Sequence, residues 1–126
     1  MEYYDQDFDI EEFLEKTQQR EENRLEKELE RIEEQLEERD RVHEEVIDEL
    51  ESKLDWYIDR LEALYSQMRG KSGERERLKG KISSFYTQIR DEKRSHWQDK
   101  QELEKDRRRL LRELNEISDS TVSDIF

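Results

Sequence analysis

The chain has 126 residues, of which 30% are hydrophobic and 48% charged, with no proline and no cysteine. Fewer than a third of the positions can line a core, which excludes a compact multilayered globule, and the lack of cysteine excludes disulfides and thiol chemistry. The net charge of −13 is unevenly spread: residues 1–24 carry −6, residues 25–68 carry −10, residues 69–117 carry +5 and the last nine carry −2.

In chain order, residues 1–8 form an acidic-aromatic arm containing Tyr3, Tyr4 and Phe8. A helix start follows. Asp9 is placed as N-cap with Glu12 as the reciprocal acid of a capping box, while Phe8 and Phe13 occupy the positions of a hydrophobic staple. Nothing helix-breaking intervenes before Met68, so residues 9–69 are expected as one helix of about 90 Å. Its seam steps by four and three through Leu25, Leu29, Ile32, Leu36, Arg39, His43, Val46 and Leu50. One extra step of four, a stutter, leads to Leu54, Tyr57, Leu61, Leu64 and Met68.

Residues 70–73 are expected as a turn within SQMRGKSGERER, residues 66–77. Gly-Lys-Ser matches the end of a phosphate-binding loop, but the motif's first glycine would fall at Tyr65 and no strand precedes it. The stretch instead suits a helix end with Gly70 at the left-handed C′ position and Ser72 capping the next helix. That second helix, residues 74–117, continues the seam through Leu78, Ile82, Phe85, Ile89, Glu92, His96, Lys100, Leu103, Arg107, Leu110, Leu114 and Ile117. Ser-Asp-Ser-Thr at 118–121 favours local side-chain bonding, so residues 118–126 are expected as a flexible tail.

Folding the chain about residue 73 brings Leu64 opposite Ile82, Leu61 opposite Phe85, Leu50 opposite His96 and His43 opposite Leu103. The acidic half then faces the basic half. The expected fold is therefore all-α: a long antiparallel helical hairpin, a coiled coil, with residues 10–24 overhanging the shorter partner helix by on the order of 20 Å. Ile47, Ile58, Tyr65, Tyr86 and Trp97 lie off the seam, and this surplus apolar surface is expected to join two hairpins as a homodimeric four-helix bundle.

No catalytic, cofactor-binding or metal-binding set emerges. In this register the two histidines, His43 and His96, stand one heptad apart, too distant to share an ion. Carboxylates abound only on solvated faces, and a slender hairpin encloses no cavity, so an enzyme is not expected. Near the turn, Arg69, Lys71, Arg75, Arg77, Lys79 and Lys81 outweigh Glu74 and Glu76, giving +4 in an acidic chain. This basic tip suits an acidic protein surface or phosphates.

The segment SDSTVSDIF resembles two kinds of replication docking tail: the acidic tail of bacterial single-stranded-DNA-binding proteins and sliding-clamp-binding peptides. Ile125 and Phe126 carry that resemblance, which lacks the tail's proline and the clamp motif's glutamine. The alternative is that Val122, Ile125 and Phe126 fold back near Leu25.

No apolar run approaches the roughly 20 residues of a membrane span, and the acidic start is unlike a targeting signal, so a cytoplasmic location without membrane contact is expected. The reading from sequence is a non-catalytic protein–protein interaction module, an adaptor or small regulator of a larger machine. Its contact elements are the arm (Tyr3, Tyr4, Phe8, Phe13), the basic tip and the Ile125–Phe126 tail. The alternative is a mobile-element or phage-type inhibitor of nucleic-acid machinery, acting through an acidic helix and arm that imitate DNA phosphates or through docking of its tail peptide. A third reading is nucleic-acid contact through the tip.

Overall fold

The computed structural model describes residues 9–67 and 72–125. Two long helices account for nearly all of them: α1, Ile10–Ser66, and α2, Ser72–Ile125. The start of α1 is built as its residues dictate. Asp9 Oδ1 accepts from the backbone N–H groups of Glu11 (3.0 Å) and Glu12 (3.2 Å), and the Asp9 carbonyl accepts the first helical bond from Phe13 at 3.0 Å. Two of the end's orphan donors are thereby satisfied. Phe8, the other half of the expected staple, lies outside the described residues.

A helix this rich in charge is supported along its surface by ion pairs three and four residues apart. Glu12 meets Lys16 at 2.9 Å, Glu49 meets Lys53 at 3.0 Å, and Arg24 and Arg41 each bridge two glutamates. Each such pair is worth only a few tenths of a kcal/mol. Burial of the seam must therefore supply most of the stability.

The chain divides into two compact units, Met1–Gln35 with Leu103–Phe126, and Leu36–Glu102. In each, α2 packs antiparallel against α1. The first unit centres on Leu25 and Leu110, the most deeply buried side chains of the described chain. Gln18 Nε2 donates to the Ile117 carbonyl at 3.0 Å, and Arg107 Nε approaches Glu33 at 3.4 Å. The second unit has a core of Leu50, Leu54 and Ile89, against which Val46, Ile47, Ile58, Ile82 and Phe85 pack. Leu64 and Leu78 are buried nearer the turn.

The hairpin is as expected, but three details differ. First, the mirror point falls between Ser66 and Ser72 rather than at residue 73. His43 consequently meets His96, not Leu103, and each α1 residue has a partner one heptad nearer the turn. A seam repeating every seven residues matches itself equally well after such a slip. The polar positions do not: residue 73 as pivot would face Arg39 with Arg107, whereas the observed register gives Arg39 the carboxylates of Glu92 and Asp99.

Second, α2 does not end at Ile117 but runs to Ile125. Ser118, Asp119, Ser120 and Thr121 are indifferent helix formers, not breakers, and no glycine or proline follows. Third, the overhang is shorter than expected, because α2 already lies against Gln18 at Ile117. Ile47 and Ile58, off the seam, are half-buried against the hairpin's core.

Candidate interaction surface

A layer of charged and imidazole side chains interrupts the apolar seam in the unit Leu36–Glu102. Arg39 Nη1 and Nε donate to Glu92 and Asp99, both at 2.8 Å. His43 Nδ1 lies 3.2 Å from the same Glu92 oxygen. On the other side, His96 Nε2 lies 2.7 Å from Asp40 Oδ1, which also meets Lys100 at 3.3 Å. The two imidazoles stack, with centroids 3.8 Å apart and ring planes 11° from parallel.

Each carboxylate in this layer is fitted to its partners. Arg39, aided by His43, holds the Glu92 carboxyl below the usual glutamate range against the opposing effect of burial. The bond from His96, with Lys100, likewise depresses Asp40. Glu92 and Asp99 in return raise the Arg39 guanidinium. These are the shifts of structural ion pairs, in which every charge already has its counter-charge. Stacked rings committed edgewise to separate carboxylates present no converging pair of nitrogens. Among the described residues no group of three or more His, Asp or Glu side chains is placed to hold a metal ion.

Toward the turn, one side of the hairpin carries large apolar side chains in the open. Tyr65 is 48%, Tyr86 56% and Trp97 63% exposed. Arg75 stands 5.3 Å and Lys79 5.9 Å from the Tyr65 ring centroid, and the bond with Tyr65 raises the Lys79 ammonium above its ordinary range. Beside them an open groove is floored by Leu61, Ile82 and Ile89 and edged by Tyr86, Arg90 and Lys93. On the opposite flank, Trp56 is 60% exposed and packs edge-on against Tyr57.

The residues expected to make contacts fall into three groups. Tyr65, Tyr86 and Trp97 share the exposed side just described, with Ile47 and Ile58 at its base. Of the basic tip, Arg75, Arg77, Lys79 and Lys81 lie on the first turns of α2, while Arg69 and Lys71 are outside the described residues, as is Gly70. Lys79 meets Glu76 at 3.6 Å, so the tip's positive charge is partly offset locally. Of the arm, Phe13 is exposed beside exposed Leu14 and Ile10, whereas Tyr3, Tyr4 and Phe8 lie outside the described residues. Ile125 is the last residue of α2, and Phe126 is outside.

Sequence reasoning missed two features. One is the polar layer, which like-charge avoidance at Arg39 and Arg107 would have found. The other is the row Lys79, Tyr86 and Lys93, whose seven-residue spacing places cations and an aromatic ring on one stripe of α2. Among the described residues no helix is long and apolar enough to cross a membrane. No curated protein and no solved structure matches the chain. A family model does, over residues 1–125, and the chain therefore belongs to the Family of unknown function (DUF8104).

Proposed function

We propose that this chain is a non-catalytic protein–protein interaction module, a coiled-coil hairpin that dimerises through the half nearer its turn and serves a larger machine as adaptor or regulator. The observation that carries this reading is the exposure of Tyr65, Tyr86 and Trp97 on one side of a single unit. Large apolar side chains set along one exposed side suit a surface that a partner covers. Aromatic rings supply much contact area at little conformational cost, which suits them to interface centres. The charged seam layer supports the same reading, since its groups are matched to each other and leave none poised for acid–base chemistry.

Light scattering across a concentration series tests the proposal. The expected result is a dimer mass for the native chain, falling to the monomer mass in Tyr86→Glu and Trp97→Glu with helicity retained. A native chain that stays monomeric at high micromolar concentration would remove the self-association on which the reading rests.

A further inference from the structure

The side of the hairpin carrying Tyr65 is built from two rows of opposite charge. On α1, Glu44, Glu51, Ile58 and Tyr65 repeat every seven residues and therefore share one stripe. On α2, Lys79, Tyr86 and Lys93 do the same, with Arg90 and Trp97 alongside four residues further on. The proximity of Lys79 and Arg75 to the Tyr65 ring puts both stripes on the same side of the hairpin. The groove through Leu61, Ile82 and Ile89 runs beside them, with Tyr86, Arg90 and Lys93 at its edge. Glu44, Glu51, Glu62, Arg90 and Lys93 are exposed and make no ion pair among the described residues.

An acidic row and a basic row flanking an apolar strip form a self-complementary surface. We infer that the surface is covered by a second copy of this chain lying tip beside tip, so that α1 of each copy rests on α2 of the other; this rests on the dimeric reading above. The choice follows from symmetry and charge. A two-fold axis parallel to the helices places the acidic row of one copy on the basic row of its mate. A two-fold axis across the helices places α1 on α1 and α2 on α2, opposing like charges on both sides. Opposed like charges at an interface are strongly unfavourable, so the first arrangement is selected.

The stacking of His43 on His96 fixes which residues stand at equal height in this unit. Glu44 of one copy then faces Lys93 of the other, Glu51 faces Arg90, and Glu62 faces Lys79. Ile58, Ile82, Tyr86 and Trp97 are enclosed between these rows. The two hairpin turns emerge side by side, and the two basic tips become one doubled patch.

Charge reversal tests the arrangement. Glu44→Lys/Glu51→Lys on α1 and Arg90→Glu/Lys93→Glu on α2 should each weaken self-association at least tenfold while retaining helicity by circular dichroism. Mixed in equal amounts, the two variants should recover the dimer mass, because each then offers the row the other lacks. Gly73→Cys, at a position where an added Cβ meets nothing within 4 Å, provides the only thiol for a spin label. Tip-beside-tip packing predicts a label separation below about 25 Å, against about 40 Å or more for the crossed arrangement at 1.5 Å rise per residue. A native dimer with the longer separation, or reversal variants that associate as tightly as the native chain, would overturn this geometry while leaving dimerisation standing. A monomeric native chain would remove both.

Discussion

His43 of α1 and His96 of α2 stack face to face across the hairpin, 3.8 Å between centroids, each ring held edgewise by a carboxylate of the other helix. The pair is coupled through contact, so its mutational effects should not add. In a double-mutant cycle of His43→Ala and His96→Ala, read by urea unfolding, a coupling of about 0.5–1.5 kcal/mol is expected. Strict additivity would mean that the stack contributes nothing beyond the separate hydrogen bonds.

Arg39 serves two carboxylates at 2.8 Å, and both its side chain and that of Glu92 are only 17% exposed. Arg39→Met keeps the aliphatic stem but leaves Glu92 with less compensation for its burial. The expected loss is roughly 1–3 kcal/mol of unfolding free energy. Arg112→Met, on an exposed position of α2, should change stability by no more than about 0.5 kcal/mol and is the control.

The same layer sets an acid limit. The folded-state pKa values of Glu92 and Asp40 are depressed, Glu92 chiefly by Arg39 and Asp40 chiefly by His96. The unfolded chain therefore binds protons more readily at these groups. Their stabilisation is present above the unfolded carboxyl range, about pH 4–4.5, and declines as the pH falls through and below it. Glu92→Gln should flatten the acid limb of a stability–pH curve between about pH 5 and pH 2. An unchanged slope would show that other carboxylates dominate acid unfolding.

Leu110, 2% exposed, is one of the two most buried side chains among the described residues. Leu110→Ala should cost about 2–5 kcal/mol, whereas Leu14→Ala, at a position 57% exposed, should cost well under 1 kcal/mol. Thermal unfolding followed at 222 nm compares the two directly. Similar losses would mean that Leu14 is covered in solution by another chain.

Asp9 accepts two backbone N–H bonds at the start of α1. Asp9→Ala should destabilise the first turn by about 1 kcal/mol. The effect should appear as faster amide exchange confined to Glu11 and its neighbours. Asp9→Asn, which still caps, should restore most of the protection.

Much of the architecture is written in local patterns, which is why it was legible. The cap at Asp9 depends on three neighbouring residues, and among the described residues all seven buried apolar ones fall on the seam traced by four-three spacing. Register is different. Leu61 suits Leu78 and Phe85 almost equally as partners, because apolar matching is periodic and a slip of one heptad preserves it. What separates the alternatives is the aperiodic part of the seam: Arg39, His43, Glu92 and His96. The end of α2 was misplaced for a related reason, since the weak preferences of Ser118 to Thr121 yield to helix propagation from a long preceding run. The contact surface was legible as a set of off-seam residues. Its division into acidic and basic rows needed the register, because only then do the heights of Glu44 and Lys93 coincide.

Gln18 and Ile117 meet although 99 positions separate them, while Arg39 and Glu92 are separated by 53. Closing contacts in order of increasing loop length brings the ends together last. A chain zipped out of step by a heptad would set Leu54 opposite Glu92, Val46 opposite Lys100 and Arg39 beside Arg107. The charged layer thus penalises the slipped register and favours the observed one, in which Arg39 gains two ion pairs. Replacing the layer with leucines would remove that discrimination and leave the two registers close in energy.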